Sequence, residues 1–194
     1  MVSVILDSSN SYLSVAIAND DTIIDQISYE AWQRQSELMI PELDKLLKRN
    51  NVTRHDINKV IVSIGPGSYT GVRIALSIAK VMVLALNVPL YAISSLHAMK
   101  DNDNPSICII NARSARSYVG VYKGSEVVVQ DQIMTNEQLL NYIEEHKDYK
   151  LIGDISYLGL EGENKDILNG LFELSKVLSP VKDTLGLTPV YLKD

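Results

Sequence analysis

Gly65-Pro66-Gly67-Ser68-Tyr69-Thr70-Gly71-Val72-Arg73 joins a strand-like segment, 59–64, to an apolar run that extends to Leu86. The order is strand, glycine-rich loop, helix. Glycine lets the backbone take positive φ and lets a neighbouring chain come close, and the first amides of the following helix have no partner within it. Such a loop holds an anion or turns the chain. A Walker-type phosphate loop requires Gly-Lys-Ser/Thr five residues after its first glycine, where this chain has Thr70, and no lysine follows before Lys80. The dinucleotide fingerprint G-x-G-x-x-G needs its third glycine one residue earlier than Gly71, and a nucleophile elbow needs glycine at Pro66 and Thr70. Taken alone the loop, with Gly65, Gly67 and Gly71, reads as a structural turn, and no cofactor is expected on it.

Upstream of the loop, residues 2–7 form a continuous apolar strand ending at Asp7, and 12–18 and 22–29 form a hairpin. Residues 36–48 carry Met39, Ile40, Leu43, Leu46 and Leu47 on one helical face, with Pro41 confined to the first turns or bending the helix. Downstream, the helix 71–86 is followed by a short strand, 89–93. The pattern then begins again: strands at 106–111, 117–123 and 126–130, a helix at 135–146 capped by Thr135, and a strand at 149–153. This is a weak internal repeat offset by about 104 residues, with Asn111 in the place of Asp7. The remainder reads as a helix near 164–175 and an extended tail, 188–192. Three hairpin-linked strands followed by helix, strand, helix and strand make the ribonuclease H-like order, and two copies make the actin-like (ASKHA) α/β architecture. The expected division is an N-terminal lobe, 1–100, and a smaller, truncated lobe, 101–194, without a second glycine loop.

Composition excludes several classes. With 194 residues, 46% hydrophobic and 22% charged, the chain buries a sizeable core and is not disordered. A net charge of -6 without a basic cluster makes a poor stand-alone nucleic-acid binder. The single cysteine, Cys108, lies in an apolar strand and excludes an intrachain disulfide. No leader is read at the start, and the longest apolar run, 74–86, is broken by Ser77 and Lys80, so no membrane span is expected and the cytoplasm is the expected location.

Asp7-Ser8-Ser9, the 65–73 loop, Tyr91-Ala92-Ile93-Ser94-Ser95-Leu96-His97-Ala98 and Pro189-Val190-Tyr191-Leu192 together resemble the TsaB (YeaZ) family over nearly the whole chain. The resemblance implies a non-catalytic paralogue of TsaD that forms a heterodimer with it, works with TsaE in a larger complex, and supports formation of N6-threonylcarbamoyladenosine at position 37 of tRNA. It also implies a homodimer when the chain is alone, and tRNA contact only within the complex. Where the family often has Asp-Ala-Arg, this chain has Asn111-Ala112-Arg113.

Catalytic relatives hold a metal through His-x-x-x-His on the first helix, a spacing that sets two imidazoles on one face. Here 36–42 contains no histidine, and His55, His97 and His146 lie apart, so no metal is expected. Asp7 stands where actin-like ATPases keep a metal-associated carboxylate; its alternative role is a turn residue accepting from the amides of Ser9 and Asn10. A small actin-like ATPase or phosphotransferase is the alternative function. No histidine neighbours Ser8, Ser9, Ser68 or Thr70, and no catalytic residue is assigned.

The helix after the loop is more informative. Arg73, Ser77, Lys80, Leu84 and Asn87 fall in an arc of about 80°, leaving an apolar arc of more than about 200°. It divides into Ile74, Ile78, Val81 and Ala85 on one side and Val72, Leu76, Ala79 and Val83 on the other. The second set, with Met39 and Leu43 of the first helix, is expected to meet a partner. On that reading Leu76→Asp or Val83→Asp leaves the chain folded and blocks association.

Overall fold

Val2–Asp7 (β1) is buried on both faces from Ser3 onward and sits at the centre of a five-stranded sheet. The computed structural model describes residues 1–31 and 33–192. β1 runs antiparallel to Tyr12–Asn19 (β2), which pairs antiparallel with Thr22–Glu30 (β3). On its other side it lies parallel to Ile57–Ser63 (β4), and β4 lies parallel to Leu90–Ile93 (β5). The order β3-β2-β1-β4-β5 is that of a ribonuclease H-like sheet. Gln35–Arg49 (α1) and Tyr69–Leu86 (α2) supply the crossovers that parallel pairing requires. Pro41 lies inside α1, in its second turn.

The second half repeats the scheme. Ser106–Arg113 (β6) pairs antiparallel with Arg116–Lys123 (β7) and parallel with Lys150–Gly153 (β9), and Glu126–Thr135 (β8) closes the order β8-β7-β6-β9. Asn136–Glu145 (α4) occupies the place of α1, and the side chain of Thr135 accepts from the Gln138 amide while that of Gln138 accepts from the Thr135 amide. Nothing corresponding to α2 and β5 follows within the described residues; the chain passes through a 3-10 turn, Ser156–Leu158, to Ile167–Val177 (α5). The expected repeat, and with it the actin-like α/β fold, is thus present, with its second copy cut short.

Two elements were not foreseen in this form. Ser95–Met99 (α3) is a five-residue helix where only a connection was expected. The expected last helix, α5, packs on the first sheet: Leu168, Leu171, Phe172 and Leu174 cover Ile5, Ala16, Ile61 and Ile93. Alternate residues of β1 and β4 therefore face two helical layers, Val4, Leu6, Val60 and Val62 toward α1 and α2, and Ile5 and Ile61 toward α5.

Beyond α5 the chain returns along α2 without regular structure. The Val181 amide donates to the Leu90 carbonyl at 2.8 Å, Lys80 Nζ donates to the Leu185 carbonyl at 2.8 Å, and the Val190 amide donates to the Ile64 carbonyl at 2.8 Å. These anchors follow α2 from its C-terminal end to its beginning, and Val181 and Leu187 pack against the core. Lys193 and Asp194 lie outside the described residues.

The junction before β6 is fixed by one buried carboxylate. Asp101 accepts from Lys165 Nζ at 3.0 Å, Lys150 Nζ at 3.1 Å, and the amides of Asp103 and Asn104 at 2.9 Å. The Lys165 contact above all holds its carboxyl far below the usual range, so it stays ionised.

α2, with 18 residues, is long and apolar enough by length and composition alone to cross a membrane despite Ser77 and Lys80, a test that a core helix also passes, and a third of it is buried inside the fold.

Candidate functional site

The C-terminal ends of β1 and β4 bring the Asp7-Ser8-Ser9 turn against the glycine loop. The Ser68 amide donates to the Ser9 carbonyl at 2.6 Å, and Ser8 Oγ donates to the Gly71 carbonyl at 2.7 Å. Ser68 caps α2, its hydroxyl accepting from the Gly71 amide at 3.2 Å. A Cβ built on Gly67 would stand 2.2 Å from the Ser9 carbonyl oxygen, and one on Gly71 would stand 1.8 Å from that of Ser8. The glycines are required by close approach of one loop to the other, and that approach takes up the Ser68 amide while the Ser68 hydroxyl takes up that of Gly71. α2 begins at Tyr69 rather than at Gly71 because the Ser68 cap lies further upstream than the apolar pattern suggested.

Asp7 is fully buried beneath this contact. Its Oδ1 accepts from the Ser9 amide at 3.1 Å and from the Ser63 hydroxyl, while Oδ2 has no hydrogen-bond partner. The amide of Asn10, the second expected donor, is not among its partners; the Asn10 side chain instead accepts from the Tyr12 amide at 2.7 Å. Burial raises the Asp7 pKa, and the bonds from Ser63 and Ser9 oppose that shift. A carboxyl whose folded pKa lies above its unfolded value favours the fold in its protonated form. Stability is therefore lost as pH rises from the ordinary carboxylate value through the raised one. Asp7→Asn keeps Oδ1 and removes the orphaned charge. It is expected to match the parent near pH ~3.5 and to exceed it near pH ~7.5 by about 1 kcal/mol or more in urea unfolding. A variant less stable than the parent at the higher pH would overturn the reading of Asp7 as an uncompensated buried charge.

The expected partner residues are placed differently from the reading of the wheel. Met39, Leu43, Val72, Leu76, Ala79 and Val83 are all buried within the chain, and all but Val72 share one core with Val4 and Leu6 of β1 and Val60 and Val62 of β4. The side of α2 read as sheet-facing is the open one: Val81 is 67% exposed, and Ile74 and Ile78 are half-buried. The physical reason is the small pair Ala75 and Ala79, which lets the helix lie close on the sheet and draws Val72, Leu76 and Val83 down with it. A groove of about 440 Å³ runs between the helices, lined by Ile40, Tyr69, Arg73, Ile74, Ser77 and Ile78 among others. At its head Tyr69 stacks on Tyr191 at 5.0 Å, and the Arg73 guanidinium lies 5.1 Å from the Tyr69 ring centre.

The Ser94-Ser95-Leu96-His97 phrase lies elsewhere, between the halves. Ser94 caps α3, its hydroxyl donates to Asp131 of β8, and Tyr122 of β7 donates to the same carboxylate. His97 stacks on Tyr122 at 4.7 Å, and burial lowers its pKa. Asp131 was not singled out from the sequence; the serine cap ahead of an apolar turn was the signal available. His55 lies in the turn before β4, and His146 Nδ1 donates to the Tyr142 carbonyl at 2.8 Å. Among the described residues, no group of three or more His, Cys, Asp or Glu is placed to hold a metal ion.

Two successive ribonuclease H-like sheets, a glycine loop closed on the first hairpin, and an open helix pair define an actin-like α/β protein with a shortened second half. Residues 27–167 match the family described as TsaD, tRNA N6-adenosine threonylcarbamoyltransferase, and the chain belongs to that family. The tRNA threonylcarbamoyladenosine biosynthesis protein TsaB of Bacillus subtilis is 29% identical, covering 97% of this chain and 92% of its own. That of Escherichia coli is 29% identical over 62% of this chain and 54% of its own. The crystal structure of YeaZ from Pseudomonas aeruginosa superposes with a TM-score of 0.81 at 19% identity, covering 98% of this chain and 99% of that one, and so shares the fold. The resemblance to TsaB carried by four short motifs extends over the whole chain.

Proposed function

We propose that the chain is a non-catalytic subunit of the assembly that forms N6-threonylcarbamoyladenosine at position 37 of tRNA, docked on TsaD through the outer face of α1 and α2. The observation that carries this reading is an open apolar helix pair beside a glycine loop that is closed on the Ser8-Ser9 turn through the Ser68 amide and the Gly71 carbonyl. Exposed aliphatic surface of this kind marks a site of protein association. The names of the TsaB relatives support the pathway, and membership of the TsaD family supports the partner, because related chains present related helix pairs to one another. TsaE joins the larger complex, the chain self-associates through the same face when alone, and it works in the cytoplasm. Residues 1–100 and 101–194 act as the two lobes, with α5 anchored on the first.

Light scattering on a micromolar mixture of this chain with TsaD is expected to give the mass of a heterodimer. Two separate masses would overturn the reading. Calorimetry with ATP and magnesium on the chain alone tests the ATPase alternative: stoichiometric binding with turnover would favour it.

A further inference from the structure

The returning C-terminal segment does more than seal the sheet edge at β5. Its three anchors, at Leu90, Lys80 and Ile64, hold it along α2. Val181 and Leu187 turn inward, whereas Leu185 is 71% exposed and Tyr191 stacks outward on Tyr69, itself a wall of the groove between the helices. We infer that residues 181–192 form a third docking element beside α1 and α2, a strap that meets the same TsaD helix pair. The inference rests on the docking reading given above.

Area argues for it. α2, with 18 residues, is about 27 Å long. Two helices about 10 Å apart offer a footprint of about 500 Å², short of the about 800 Å² per partner that a stable interface buries. An extended segment about 10 Å wide with its side chains, following α2 from end to end, adds about 250 Å² and brings the surface to the required size. The strap is continuous with the groove through the Tyr69–Tyr191 stack, and Leu185 adds an aliphatic contact on the flank of Lys80. The occupant that fits is a partner presenting two packed helices with aliphatic outer faces.

Full-length Leu185→Glu, Tyr191→Ala and Val81→Asp are each titrated into TsaD by calorimetry beside the parent chain. Leu185, Val81 and Tyr191 are exposed, so unfolding temperatures are expected to stay with the parent. Val81→Asp is expected to abolish binding and Leu185→Glu to weaken it at least ~10-fold, because a carboxylate is desolvated in an apolar contact. Tyr191→Ala is expected to weaken it ~3- to 10-fold through loss of the ring stack. Loss with Val81→Asp but parental affinity with Leu185→Glu would overturn the strap and leave the docking reading standing. Parental affinity with both, or no binding by the parent, would overturn both. If Leu185→Glu breaks only a dimer of this chain with itself, the strap serves a second copy and the inference fails.

Discussion

Gly71→Ala is expected to cost about 3 kcal/mol or more, a large part of the stability of a domain this size. The direction is not obvious from local rules. Gly71 lies in the first turn of α2, where alanine is the better helix former by about 1 kcal/mol. Against that gain stands a methyl group placed 1.8 Å from the Ser8 carbonyl oxygen and 3.0 Å from its carbon, both backbone atoms that cannot rotate aside. Admitting it forces the Ser8-Ser9 turn away from the loop and breaks the Ser68-to-Ser9 and Ser8-to-Gly71 hydrogen bonds. Gly159→Ala is the control: its φ is +73° and nothing lies within 4 Å of the added carbon, so only the left-handed backbone is penalised, by about 1 kcal/mol. Urea midpoints of the two variants followed by circular dichroism make the comparison. Equal midpoints would mean that the two loops do not close on each other.

Leu76→Asp is expected to unfold the chain outright, and Val81→Asp to leave it folded but unable to dock. Leu76 is 3% exposed and packed in the core over the sheet, where an unpaired carboxylate costs about 4–5 kcal/mol or more. Val81 stands one residue beyond the turn from it and faces solvent. The helical wheel had placed Leu76 and Val83 at the interface, where Leu76→Asp would leave the chain folded and block association. Thermal unfolding of both variants, followed by light scattering with TsaD for whichever folds, separates the two arrangements; a folded Leu76→Asp would restore the earlier one.

What could be read in advance tracks the physics that wrote it. The inner residues of β1, β4 and β6, at 4–6, 60–62 and 107–109, are buried on both faces and announce themselves as apolar runs, and the hairpins are marked by Asn19-Asp20-Asp21 and Gly124-Ser125. α4 was legible from its Thr135 cap and the apolar face of Leu139, Leu140 and Ile143. The facing of α2 was not, because both flanks of its polar arc are aliphatic and the choice between them depends on what Ala75 and Ala79 lie against. α3 is too short to show a helical period. β8 runs five residues past the expected end because Gln130-Asp131-Gln132 break the apolar alternation, which an edge strand tolerates on its open side. That extension is what carries Asp131 to Ser94 and Tyr122. The strap was seen only as an extended tail, since its anchors are backbone groups of Leu90 and Ile64 and the carbonyl of Leu185, none of which a side-chain pattern encodes.

The docking of α5 on the first sheet sets an order of events on the ribosome. Ile5 and Ile61 share their core with Leu168, Leu171 and Phe172, so the back of the first sheet stays uncovered until Ile167–Val177 has been made. Long-range closure of this kind slows folding and leaves apolar surface open to aggregation in the interval. Closing that face is therefore a late step, in which α5 seals two strands, β1 and β4, made long before it.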